Sequence, residues 1–233
     1  MLGGLHVGSR RGLNPSVVAR NTTDIANPIH ANTRNGKSRT DLIMIDLSRL
    51  KAANLARWTV ASVVPSLIPL VDSVSHRLVA AKARYQTVEA KTSVPWPVIA
   101  VIHERESSQS WAASLAQGDP WNKVSIHVPR GRGPFSSWEE AAEDALVVCA
   151  PYAAKWQDWS IGGALTLLEQ YNGLGYASRG IPSPYIWAST DQYHHGKYIA
   201  DGHFDPDAID HQIGCAALLK RMTLIDSSIR WQS

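Results

Sequence analysis

The run Val98-Ile99-Ala100-Val101-Ile102, followed at once by His103-Glu104-Arg105-Glu106-Ser107-Ser108, constrains this chain more than any other segment. An unbroken apolar run suits an element buried on every side. Yet the same element ends in four successive ionisable side chains, and charges that enter an interior need partners or must be neutralised. A fold that accepts this segment must set the end of a core helix against polar, charge-matching structure. Ser93 reads as the N-cap of that helix, and Pro95 and Pro97 suit its first turn.

Helical periodicity surrounds it. The pattern predicts a helix over residues 43–63, ended by Pro65, and a second over 72–89 with Val74, Leu78, Ala81 and Tyr85 on one face. Ser137 with Glu140 forms a capping box at the start of another, which carries Ala142, Ala145, Leu146 and Cys149. Further helices are expected over 160–170 and 207–224, with a loop-rich stretch over 172–206 between them. Val124-Ser125-Ile126-His127-Val128 alternates as a short strand, closed by Gly131, Gly133 and Pro134. The reading is a mainly α chain with one small β element after the third long helix. Residues 1–40 show no lasting periodicity and read as a disordered or flexible segment, which leaves 41–233 as one domain.

Composition narrows the function classes. A net charge of +3 suits an anionic polymer, but no Lys/Arg run builds a phosphate-binding stripe, which argues against a nucleic-acid partner. No apolar run approaches the length of a membrane span, so no stable membrane insertion is expected. Arg10 and Arg11 lead into Gly, Asn and Pro instead of a continuous apolar stretch, unlike a conventional secretory signal peptide. Cys149 and Cys215 are too few for a disulfide framework or a zinc site and are expected as buried thiols. His194, His195 and His203, with Asp201 and Asp205, follow no standard zinc spacing, so neither metal nor cofactor is implied. The 9 tryptophans offer sugar-stacking faces, although core packing is the commoner use of such rings.

Glu104 and Glu106 point about 200° apart on a helix, so only one of them can face a given cleft. Both could equally be surface charges closing a helix. Cleavage of a glycosidic bond needs a carboxyl group kept protonated near neutral pH, and burial at the end of a core helix is one way to supply it. Asp119, in Gly118-Asp119-Pro120, offers a second carboxylate or a turn cap. Ser107 is placed to orient Glu106, and His127 to act on the attacking nucleophile, to donate to a substrate, or to pack. Tyr171, Asn172, Tyr176 and Tyr185 supply the aromatic faces and amide donors that bind saccharides, with Trp187 and Tyr193 in the same span. Tyr171 also suits a core position.

Four short segments carry a resemblance. Arg105-Glu106-Ser107 resembles the Arg-Glu-Ser motif of goose-type lysozymes and the Glu-Ser motif of lytic transglycosylases. Tyr171-Asn172-Gly173-Leu174-Gly175-Tyr176 is similar to the Tyr-Asn-Gly segment lining the sugar cleft in transglycosylases and phage endolysins. Gly118-Asp119-Pro120 and Pro184-Tyr185-Ile186-Trp187 look like segments of lysozyme-like proteins of bacteria and prophages. This resemblance implies an α+β lysozyme-like fold, in which helices and a small β element flank a sugar-binding cleft. It implies Glu106 as general acid, Asp119 as the base that places water, and the β-1,4 MurNAc–GlcNAc bond of peptidoglycan glycan strands as target. It also implies a monomer made in the cytoplasm that reaches the cell wall by another route, such as a holin during phage lysis. The Gly-Leu-Met-Gln segment and a second acid on the β element are absent, which leaves attack by water or by the sugar's own hydroxyl open. A chitinase or chitosanase, and a non-catalytic wall-binding or phage structural module, are the alternatives.

Overall fold

The computed structural model describes residues 45–233 apart from Gln117, Val128 and Asp201. The expected segment 1–40 and the first residues of the expected helix 43–63 lie outside the described residues. Helix α1 (Leu47–Val60) starts at Asp46, whose Oδ1 accepts the Ser48 and Arg49 amides at 2.9 and 3.1 Å. It ends before residue 63 because Val63 bridges to Thr190 and the Val64 amide donates to Ser189 O at 3.0 Å. The single helix expected over 72–89 is two, α2 (Ile68–Ala80) and α3 (Lys82–Thr92), broken at Ala81 with φ −89° and ψ 7°. Ser93, expected as an N-cap, instead closes α3 in the left-handed region at φ 60°. Pro95 disfavours helical geometry at Val94, so α4 (Trp96–Ser107) begins afresh.

Helix α5 (Trp138–Val147) is capped by Ser137 Oγ, which accepts the Glu140 amide at 3.1 Å. Glu140 returns to the Ser136 amide at 2.7 Å, one residue earlier than a standard capping box. Helix α6 (Ile161–Asn172) is capped by Ser160, whose Oγ accepts the Gly163 amide at 3.2 Å. Two single-turn helices follow, α7 (Gly175–Ser178) and α8 (Pro184–Trp187). Strands β1 (Lys197–Ala200) and β2 (His203–Asp205) then pair antiparallel, Tyr198 opposite Phe204, and α9 (Cys215–Ile225) completes the fold.

Two expectations are corrected. No strand forms over the described part of 124–128. The alternation is real but inverted: Val124 and Ile126 are 54% and 70% exposed, while Ser125 is buried. The amides of Ile126 and His127 go to the Asp119 carboxylate and that of Ser125 to Arg132 O, so the backbone is satisfied without a partner strand. The β element is the β1–β2 hairpin, inside the stretch expected to be loop. The last helix begins at Cys215 and not near 207, because residues 210–213 are drawn into bonds with the end of α4. The mainly helical class stands.

Helix α4 runs through the middle of the core, and Val98 to Ile102 are fully buried. It packs on α3 and α9, while α2 packs on α9, and α1 on α6. Arg221 of α9 clamps Asp72 of α2, with Nη2 to Oδ2 at 2.7 Å. All 9 tryptophans sit in the core or pack partly buried against it. Glycine sets two close approaches. A Cβ on Gly163 would lie 2.2 Å from Asp158 O, and one on Gly214 would lie 2.5 Å from Ile186 O. Gly163→Ala and Gly214→Ala should therefore each destabilise the fold by about 1–3 kcal/mol, as overpacked sites do. Urea midpoints equal to wild type would contradict these approaches.

Candidate active site

At the end of α4 the four ionisable residues fan out around the helix, about 100° apart. His103 turns into an aromatic cluster, its ring 4.6 Å from those of Trp111 and Trp138. Its Nε2 lies 3.0 Å from Ser110 O, which can only accept, so Nε2 carries the proton and Nδ1 accepts from the Tyr85 hydroxyl at 3.0 Å. Burial pushes its pKa down to about 4 and keeps the ring neutral. Glu104 follows it, with its pKa raised by burial. Its Oε2 is buried without a hydrogen-bond partner among the described residues.

Arg105 enters the interior with its charge. The side chain is 4% exposed, Nη2 donates to Asp210 Oδ2 at 3.0 Å, and Nη1 donates to Ile213 O at 3.3 Å. Burial alone would raise the Asp210 pKa, but the Arg105 charge and hydrogen bond, with Lys197 at 3.2 Å, hold it below the usual carboxylate range. The Tyr193 hydroxyl accepts the Asp210 amide at 3.0 Å, so this one carboxylate gathers α4, β1 and the segment before α9.

Glu106 is half-buried beside this pair. The Tyr185 hydroxyl, from α8, donates to Glu106 Oε1 at 3.0 Å. The Arg105 guanidinium lies 4.7 Å from the centre of the same tyrosine ring, a cation–π contact that fixes the ring from behind. Adjacent residues of one helix thus hold the two ends of Tyr185. The Gly118-Asp119-Pro120 turn reaches the same place from the loop side. Gly118 has φ +73°, and a Cβ there would lie 3.0 Å from Glu106 O.

Asp119 is buried and its carboxylate is fully engaged. Oδ2 accepts the amides of Ile126 and His127 at 2.9 and 3.0 Å, and Oδ1 accepts His127 Nδ1 at 2.6 Å. Burial raises its pKa, but the His127 and Ile126 bonds together outweigh that and the net shift is downward. The His127 side chain is 50% exposed. Ser107 Oγ is bonded to His103 O at 3.1 Å along the helix. Tyr171 is buried, with its hydroxyl donating to Leu115 O at 3.2 Å beneath the loop that leads to Gly118. Asn172 Nδ2 reaches Ser183 Oγ at 3.5 Å, two residues before Tyr185. Tyr176 is buried against the hairpin, where its hydroxyl accepts the Tyr198 amide at 3.0 Å. Trp187 and Tyr193 are core residues. The structure therefore brings Tyr185 directly to Glu106 and the Gly-Asp-Pro turn against the Glu106 backbone.

Sequence reasoning missed Asp210 and Glu169, and named Arg105 only within its motif and not as the ion pair's cation. Arg105 was legible as a cation one residue from the acid, whereas nothing marks Asp210 within its irregular segment. Glu169 of α6 follows Leu165 by one helical turn and so falls on an apolar stripe. It is fully buried, its Oε1 has no hydrogen-bond partner among the described residues, and burial pushes its pKa up to about 8. Both cysteines are buried free thiols, and burial raises the Cys215 pKa strongly. Among the described residues, no group of three or more His, Cys, Asp or Glu is placed to hold a metal ion, and no helix is long and apolar enough to cross a membrane. Comparison with protein-family models, curated proteins and solved structures finds no match to this chain.

Glu169 makes stability depend on pH. Unfolded, it loses its proton near 4.5, while folded it keeps it to about 8. Its contribution is complete below 4.5 and is lost as pH rises to 8, on the order of 4 kcal/mol in all. Glu169→Gln should remove that decline, so denaturant midpoints at about pH 5 and pH 8 should differ less than in wild type. An unchanged pH dependence in the variant would contradict a buried, protonated Glu169.

Proposed function

We propose that this protein hydrolyses the glycan strands of peptidoglycan at the β-1,4 MurNAc–GlcNAc bond, with Glu106 as general acid. The observation that carries the reading is the Tyr185 hydroxyl on Glu106 Oε1, at the end of a core helix whose preceding residue, Arg105, holds the tyrosine ring. In the reaction Glu106 protonates the leaving glycosidic oxygen while positive charge spreads over the sugar's C1 and ring oxygen. The Tyr185 hydroxyl holds the Glu106 side chain in one orientation at the end of α4, as a positioned acid requires. The basic balance of the chain, net +3, suits an anionic wall polymer. The Arg105-Glu106-Ser107 and Tyr171-Asn172-Gly173 resemblances point to the same substrate.

Digestion of purified peptidoglycan, with mass spectrometry of the fragments, tests this. Wild type should release muropeptides with a reducing end, and Glu106→Gln should release them at least ~10²-fold more slowly. Fragments lighter by one water would instead mean attack by the sugar's own C6 hydroxyl, the lytic transglycosylase outcome. Solubilisation of chitin oligomers alone would move the substrate to chitin. An inert wild type that still binds sacculi would leave a wall-binding module, and undiminished release by Glu106→Gln would exclude Glu106 as the acid.

A further inference from the structure

Hydrolysis with a single general acid leaves the attacking water without a base. Asp119 is poorly suited to that task itself, since three donors occupy its carboxylate and favour its ionised form. The same bonds suit it to another role. The two amides fix the carboxylate plane, and the remaining oxygen meets His127 Nδ1 at 2.6 Å. A carboxylate only accepts, so Nδ1 carries a proton and Nε2 is the nitrogen left to exchange one with a bound molecule. The ring is half exposed, unlike His103, whose two nitrogens are both spent inside the core.

Side-chain hydrogen bonds tie down the segment that carries this histidine. Ser125 Oγ donates to Pro129 O at 2.8 Å and accepts the Arg132 amide at 3.0 Å. Arg132 Nε is anchored to Asp144 of α5 at 3.0 Å. At the other end, Gly118 seats the turn against Glu106 O. A loop with its own internal bonds, one end on α5 and the other on the acid's backbone, holds an oriented imidazole as catalysis requires.

We infer that Asp119 and His127 form a carboxylate–imidazole dyad in which His127 Nε2 is the general base for the attacking water, with Asp119 as the positioning residue that fixes its tautomer. This inference rests on the hydrolase reading of Glu106. His127 Nε2 takes a proton from water as the water oxygen bonds to C1, the C1–O4 bond breaks, and O4 takes the Glu106 proton. The turn ends with an imidazolium and a carboxylate, which exchange one proton through solvent to reset. No further reactant is needed.

The test compares wild type, Glu106→Gln, His127→Gln, Asp119→Asn and the His127→Gln/Asp119→Asn double variant on purified peptidoglycan, with and without sodium azide. The exposed His127 ring makes His127→Gln the variant that keeps the fold, and its thermal midpoint should match wild type. Its kcat should fall about 10²-fold or more with KM little changed, the size of a lost general base. Azide, a nucleophile that needs no base, should restore turnover and give glycosyl azide products. Asp119→Asn should lose a similar factor, and the double variant should be no slower than the slower single one, because the two act as a unit. Wild-type turnover in His127→Gln, or multiplied losses in the double variant, would overturn the dyad while leaving Glu106 as acid. An inert wild type would overturn the hydrolase reading, and the dyad with it.

Discussion

A guanidinium in an apolar interior has to be matched, and Arg105 is the point on which the end of α4 turns. Stranding one partner of a buried pair costs about 3–5 kcal/mol, so the chain is obliged to bring Asp210 across. That requirement keeps residues 210–213 out of α9, ties β1 in through Lys197, and leaves Ile213 O as a second acceptor. It also gives Tyr185 a charged surface to lie on. The neighbouring Glu106 then receives the tyrosine hydroxyl because both side chains were placed by one ion pair.

The remaining ionisable groups near the core are handled differently, and the contrast shows how the site is sorted. His103 and Glu169 stay inside by remaining neutral, one through lowered and one through raised proton affinity. Arg105 stays by pairing. Asp119 stays ionised because its own loop supplies the donors. In that loop a carboxylate does the work that a partner strand would do elsewhere, and the bonds that build it also orient His127.

The parts of the fold set by local chemistry were legible. The cap at Ser137, the buried character of Val98 to Ile102 and the fate of both cysteines follow from short-range rules. The break at Ala81 was not legible, since alanine carries no stop signal and the apolar spacing continues through Tyr85. The strand expected near Val124 failed because alternation alone does not say which face is buried, and here the polar residue points inward. The hairpin had a sequence signal, Asp201-Gly202, a pair favoured in tight hairpin turns, which the aromatic-rich surroundings obscured. For the site, Glu106, Asp119 and Tyr185 were nameable from short segments. Asp210 was not, because only the buried charge opposite gives it meaning.

On the proposed function, a sugar chain lies across Glu106 at the end of α4. The measurement that bears on it most directly is a crystal structure of Glu106→Gln with a muropeptide tetrasaccharide bound. The account predicts a glycosidic oxygen within hydrogen-bond distance of the Gln side chain, with the Tyr185 hydroxyl on that same side chain and His127 on the far side of C1. A saccharide bound elsewhere on the molecule, or none bound at saturating concentration, would contradict it.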